Sequence, residues 1–341
     1  MWKHAEWLHK HIYYESGLPS LSTIKRVIGM INPKELEHVC NETFHVFIKR
    51  NDTYYKDEDI TINDVKSMDG KTANSSDRTQ SKNGEIKKTN AMSIFSVGNN
   101  MCEATEFISD KTNEIPTGIE LLKRVNIENS IIVFDAMSTQ TKTIDYIVDK
   151  KGYYVAPVKG NQGNLEEDIS LYFKDGKNYQ KIEGKNYYKV IEKAHSTVEI
   201  REYLFVNDVN WIHQKDNWKD LKSIGMATRN YTNKEGKEIT DTRYFISNIG
   251  ANKIELLSKS IRGEWQIENG LHLYLDMVFD EDKNRCFLEN SQKNLNIIRK
   301  FCLAILKRYK TQTKLSMNSI RFNISMDFEN EIDSIIKRIF Y

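Results

Sequence analysis

Two short apolar runs that each stop on an aspartate constrain this chain more than any other feature. Val65 to Met68 leads into Asp69-Gly70, and Ile131 to Phe134 leads into Asp135. Runs of this length and composition read as strands. A parallel-type strand ending in Asp puts its carboxylate at the C-terminal edge of the sheet, where open α/β sheets bind ligands. If the two strands are neighbours, Asp69 and Asp135 lie side by side, and Gly70 lets the backbone turn sharply beside them. A third acid, Glu268, sits far downstream on an amphipathic helix expected over 253–277. Three carboxylates brought together repel unless cations neutralise them. An all-oxygen donor set suits Mg²⁺ or Mn²⁺. Two such ions can activate a water or a 3′-hydroxyl and stabilise the leaving oxygen of a phosphoryl transfer, with no histidine base required. Taken singly, each acid also has an ordinary reading, as a turn or cap residue for the two Asp and as a solvated helix position for Glu268.

The rest of the chain fits around these motifs. Residues 1–60 read as a small helical domain, for DNA binding or for packing. A short segment spans Leu8 to Tyr13, and Gly17-Leu18-Pro19-Ser20 forms a break. Ser22 then caps a helix carrying Ile24, Val27, Ile28 and Ile31, and another helix starts at Asn32-Pro33. Residues 51–64 are a polar connection and 72–90 a long exposed loop with Arg78, Lys82, Lys87 and Lys88. A hairpin follows around Gly98-Asn99-Asn100, then a helix with Pro116 in its first turn. The strand Ile131 to Phe134, a helix through Ile144 and Ile147, and the strand Tyr153 to Val158 complete the order β-β-β-α-β-α-β. This is a mixed sheet with helices, an α/β unit. After a helix from Leu165 to Phe173, residues at about 180–250 alternate in β fashion and form a β-rich insertion before Glu268. Asn294 to Tyr309 reads as the final helix, and 311–341 as a C-terminal tail.

Composition narrows the class. With Lys+Arg 50 against Asp+Glu 48, overall charge does not announce a nucleic-acid binder, so local charge must carry that argument. The four cysteines, Cys40, Cys102, Cys286 and Cys302, form no C-x-x-C pair and fit a reduced, cytoplasmic setting. No apolar run approaches the ~18 residues of a membrane span.

In order along the chain stand G-L-P-S-L-S-T-I-K-R-V at 17–27, S-M-D-G-K-T at 67–72, K-T-N-E-I-P at 111–116, F-D-A-M at 134–137 and V-K-G-N-Q-G at 158–163. L-K-S-I-G at 221–225, T-R-Y-F-I-S at 242–247, R-G-E-W-Q-I-E-N-G-L-H at 262–272 and L-D-M-V-F-D-E-D at 275–282 follow. Together they resemble the DDE transposases of the ISAs-type, or H-repeat-associated, insertion sequences, from about Gly17 to about Arg308. The resemblance implies an RNase-H-like catalytic domain over 61–310 that contains the β-rich insertion. It implies Asp69, Asp135 and Glu268 as catalytic metal ligands for two Mg²⁺ or Mn²⁺ ions. It also implies double-stranded DNA as partner, at element ends and target, a homo-oligomer in the synaptic complex, and a cytoplasmic, nucleoid-associated protein.

Lys71, Lys159, Arg262 and Arg285 lie in or beside the motifs and suit phosphate contacts, although a solvated surface role accounts for each equally well. Asn161 and Gln162 either touch DNA or cap the following helix. His272 reads as a packed polar residue, and Trp265 as core. The chain departs from the family at Glu264, where R-G-H-W is usual, at Asn74, where Arg is usual, and at His195-Ser196-Thr197-Val198-Glu199, where H-G-R-I-E is usual. It also starts close to the G-L-P-S motif. These departures motivate a second reading, a decayed or domesticated copy that binds DNA without catalysis.

Overall fold

The computed structural model describes residues 2–47, 53–73, 89–108, 114–175, 178, 186–194, 197–233, 235–283 and 289–341. Most of the expected loop over 72–90, with its four basic residues, lies outside these, as do Asn74 and Arg285. The N-terminal third opens with helices α1 (Ala5–His11), α2 (Leu21–Met30) and α3 (Pro33–Phe47). Ser20, rather than Ser22, caps α2. Its backbone is extended just after Pro19, and its Oγ accepts from the Thr23 amide at 3.1 Å. A small ribbon, β1 (Tyr55–Lys56) with β2 (Thr61–Ile62), occupies part of the stretch read as a polar connection.

The core strands are β3 (Asp64–Ala73), β4 (Thr89–Ser96), β5 (Met101–Ile108), β6 (Ser130–Phe134) and β7 (Tyr153–Val158). Helix α4 (Glu114–Leu122) precedes β6, α5 (Thr141–Asp149) precedes β7, and α6 (Gly163–Lys174) follows it. The order β-β-β-α-β-α-β is therefore present. Four more strands follow: β8 (Tyr187–Ala194), β9 (Thr197–Val206), β10 (Ser223–Thr232) and β11 (Glu238–Ser247). They extend the same sheet, because β11 docks on β7 with Tyr244 opposite Val158 and Ser247 opposite Val155. The nine-stranded order is β5-β4-β3-β6-β7-β11-β10-β9-β8. Among the described strands, only the neighbours β3, β6 and β7 run parallel.

Both faces of the parallel centre are covered, which is why 131–134 is apolar without alternation. Ile132 and Phe134 pack with Leu121, Leu122, Ile144 and Ile147 on one face. Ile131 and Val133 meet Leu256, Leu257 and Ile261 on the other. Those last three belong to α7 (Ile254–Gln266), which continues through a π turn (Ile267–His272) into α8 (Leu273–Phe279). No described helix is long and apolar enough to cross a membrane.

The helix expected to be last is longer, α9 (Glu289–Thr313), and two more follow it: α10 (Met317–Met326) and α11 (Phe328–Phe340). Lys314 turns the chain through the left-handed region (φ 59°), and Ser316 caps α10 through the Ser319 amide at 3.0 Å. Ile320, Ile335 and Ile339 then bury against Phe44, Met101 and Ala304. Asn294 on α9 donates to the Ile28 and Ile31 carbonyls at 2.7 and 2.9 Å, so α2 rests on α9, while Trp7 of α1 donates to Asp333 of α11 at 2.8 Å.

Candidate active site

Register brings the first two acids together. The parallel β3–β6 ladder ends with Met68 opposite Phe134. Asp69 is the next residue of β3, and Asp135 the first residue beyond β6. One expectation needs correcting: Asp69 does not end its strand. β3 runs on to Ala73 because β4 keeps pairing with it on the other side, with Asp69 opposite Ser93. What ends at Asp69 is the parallel partner. Beyond Phe134 the chain turns, and the Asp135 carboxylate accepts from the Ser138 amide at 2.9 Å, capping a short 3₁₀ turn at Ala136–Ser138. Asn161 donates to the Ala136 carbonyl at 2.6 Å and Gln162 to the Thr139 carbonyl at 2.5 Å, so both side chains brace the loop that carries Asp135.

Helix α7 delivers the third acid. Gly263 lets the helix lie directly on β3, since a Cβ there would stand 3.0 Å from Val65 Cγ1. The Ser67 hydroxyl donates to the Glu264 carbonyl at 3.1 Å and fixes the depth of the helix. In the π turn that follows, Ile267 and Leu271 point into the core, while Glu268 is exposed. A cavity of about 160 Å³ results, walled by Asp69, Asp135, Glu264, Glu268, Arg243 and Trp265.

The electrostatics fit a divalent cation. Burial pushes the Glu264 carboxyl up to about 7, and Asp135, Glu268 and Asp69 push it the same way against the Arg243 guanidinium. Arg243 Nη1 stands 3.6 Å from Glu264 Oε2. A cation among these carboxylates would relieve their repulsion. As they stand, no three His, Cys, Asp or Glu side chains among the described residues converge closely enough to share one ion. The fit is one of donor chemistry and place. His272 lies beside the cluster, its Nε2 3.6 Å from Asp69 Oδ2, and neither ring nitrogen makes a hydrogen bond. Burial, with Lys300 and Lys71 nearby, lowers it to about 3, so it is a neutral imidazole and supplies no counter-charge.

The basic residues read from the sequence are divided. Lys71 is held inside the protein by Asp276 at 2.7 Å and Glu281 at 3.0 Å. Arg262 donates to Glu192 at 3.1 Å. Lys159 is exposed. Arg243 went unassigned, although it stands in the T-R-Y-F-I-S segment. Its signal was one inward-facing Arg at the same β-period as Phe245, which is legible only once β11 is known to border the cavity.

A sheet edge that gathers acids from two strands and one helix defines a carboxylate-centred α/β protein. Residues 55–306 match the family described as "Transposase DDE domain", and the chain belongs to that family. It is 31% identical over 314 residues to the "H repeat-associated putative transposase YhhI" of Escherichia coli K12, covering 90% of this chain and 78% of that protein. It is 29% identical over 308 residues to the "Putative transposase YncI" of Escherichia coli O157:H7, covering 89% and 75%. Among solved structures, the piggyBac transposase synaptic complex with hairpin DNA aligns at 12% identity and a TM-score of 0.42, over 99% of this chain and 77% of that one.

Proposed function

We propose that this protein is an insertion-sequence transposase with an RNase-H-like core, cutting DNA at element ends and joining the freed 3′-hydroxyl to target DNA. The observation that carries this reading is the shared cavity of Asp69, Asp135, Glu264 and Glu268. Two Mg²⁺ or Mn²⁺ ions bound there would supply Lewis-acid activation of the attacking oxygen and charge neutralisation at the leaving one. Asp69 and Asp135 offer ligand oxygens from a rigid sheet edge, and Glu268 offers its own from the helix above. Glu264, which burial leaves protonated over much of the acidic range, either gives up its proton to join the donor set or remains a neutral wall beside it. In cleavage, water oxygen bonds to phosphorus and the bond to the 3′-oxygen breaks, with the proton ending on that oxygen. In joining, the freed 3′-oxygen bonds to a target phosphorus and the bond to the target's own 3′-oxygen breaks, so the element is joined to the target 5′-phosphate and the attacking hydroxyl's proton ends on the departing 3′-oxygen. Bringing two element ends together calls for at least a dimer. Asp69, Asp135 and Glu268 are the proposed metal ligands, and Lys159 and Arg262 the proposed backbone contacts from the sequence motifs.

The second reading, a copy that binds DNA without cutting it, draws on Glu264, a further acid in the wall of the cavity where the family usually carries His. One experiment separates them. The gene's own flanking DNA is incubated with protein in Mg²⁺ and in Mn²⁺, beside Asp69→Ala, Asp135→Ala and Glu268→Ala. Cleavage and joining by the parent protein alone supports transposition. Binding with no strand cleavage in either metal overturns it in favour of the inert copy.

A further inference from the structure

We infer that the face of β9, β10 and β11 beside the carboxylate cavity holds a backbone phosphate of the bound DNA strand, gripped by arginines arrayed around Trp265. The proposal deepens the transposase reading and rests on it. Four guanidiniums surround one indole: Arg201, Arg229, Arg243 and Arg262 lie 4.9, 5.2, 5.5 and 5.8 Å from its ring centroid. They come from three strands and α7, and they line a cleft of about 80 Å³ with Thr228 and Asp241. Trp265 and Arg243 wall this cleft and the carboxylate cavity alike. The cleft and the carboxylate cavity therefore adjoin across these two side chains.

The arrangement costs the folded protein something, which argues for a ligand. Arg201 and Arg229 are directly opposed across β9 and β10, a like-charge pairing that destabilises a sheet. Glu199 bridges them, at 2.5 Å from each, and Arg262 is paired with Glu192. Two features remain unused. Arg201 is only 7% exposed, yet its Nε makes no hydrogen bond and has Glu192 no nearer than 3.6 Å. Arg243, half exposed, has its ion pair with Glu264 at 3.6 Å. Burial, with Arg262 and Arg229 close by, holds Arg201 below the usual guanidinium range. Guanidiniums held over an indole are attracted by its ring while donors not engaged by Glu199 or Glu192 stay available to oxygen acceptors, and Arg forks match phosphate better than Lys does. A phosphodiester oxygen meets these donors and also relieves the crowding of positive charge.

The test follows Trp265 fluorescence, taken as the difference between the parent protein and Trp265→Phe, with a chelator present so that no cleavage occurs. The probes are a duplex oligonucleotide from the element end, sodium phosphate and dAMP, at fixed ionic strength. The expected result is a saturable change with the duplex that persists in Asp135→Ala. Anisotropy of the labelled duplex gives affinity and its salt dependence. Arg243→Gln combined with Arg262→Gln should weaken binding about tenfold or more and flatten the salt slope by about one, as loss of one phosphate contact requires. Arg243→Lys, which keeps the charge and removes the fork, should restore the slope but only part of the affinity. Duplex binding with unchanged affinity and slope in the double variant overturns the inference while leaving the transposase reading intact. A Trp265 response to phosphate or dAMP without any to duplex would mark a free-phosphate site and overturn it too. Loss of metal-dependent cleavage in the parent protein, with the Trp265 response to duplex preserved, would sink catalysis and support the subsite.

Discussion

The two halves of the sheet handle charge in opposite ways. Around the parallel centre, Lys66 is paired with Glu103 and Asp64, but Glu264 stands among like charges with Arg243 no nearer than 3.6 Å, His272 makes no hydrogen bond, and Lys307 has the rings of Phe95 and Tyr274 in place of a hydrogen-bonding partner. In the antiparallel extension, Arg201, Arg229 and Glu199 lie in tight mutual contact. Unpaired buried groups shift their protonation and wait for something from outside, whereas paired ones support the local fold. The contrast marks the parallel edge as a place for incoming cations, and the extension as a place where a charge cluster that holds the strands together also presents guanidinium edges to a cleft.

The largest expected effect tests the first half. Asp135→Asn keeps the cap on Ser138 and removes the charge. Metal-dependent cleavage should fall about a thousandfold or more, with the unfolding midpoint nearly unchanged. Cleavage left unchanged in the variant would mean that Asp135 is a cap and not a ligand. Next comes the second half. Glu199→Gln leaves two opposed arginines short of a counter-charge and should cost about 3 kcal/mol in denaturant unfolding. The guanidinium of Arg229 beside Glu199, with Arg201, holds its carboxyl below the usual range. This stabilisation is therefore complete above the ordinary glutamate value and fades as pH falls through the depressed one.

A third prediction returns to the centre. Burial, with Lys310 adding to it, lowers Lys307 to about 7. The unfolded chain binds this proton up to the ordinary lysine range and the folded one does not. Stability should therefore rise with pH from about 7 toward that range, and Lys307→Met should flatten the rise and stabilise the protein at neutral pH. A steeper curve in the variant would contradict it. The smallest effect concerns the exposed link between the halves, Lys219 to Asp149 at 2.5 Å. Lys219→Ala should leave the midpoint within ordinary scatter, since such surface pairs contribute little.

What the sequence disclosed follows the same division. Ile131 to Phe134 and Tyr153 to Val158 were legible because burial on both faces removes polar residues from the run. Asp69 was placed at a strand end because its side chain breaks the apolar pattern. The antiparallel hold of β4 that carries the strand on to Ala73 leaves no mark in the local sequence. The arginine array was invisible for a related reason. Arg201, Arg229 and Arg243 each look like an ordinary outward charge, and only the register of three strands sets them around Trp265. Helices α10 and α11 were passed over as a tail, although Ile332, Ile335 and Ile339 already recur at helical spacing.

The π turn at Ile267–His272 has a further consequence. Its i-to-i+5 bond, from the Leu273 amide back to the Glu268 carbonyl, accommodates one residue more than an α-turn would. Everything after it is therefore rotated out of phase with α7 by about 100°. Glu268 sits at that seam. The extra residue thus sets the phase between the helix that carries Arg262 and Trp265 and the helix that anchors Lys71, and removing one residue from the turn would swing Asp276 about 100° away from Lys71.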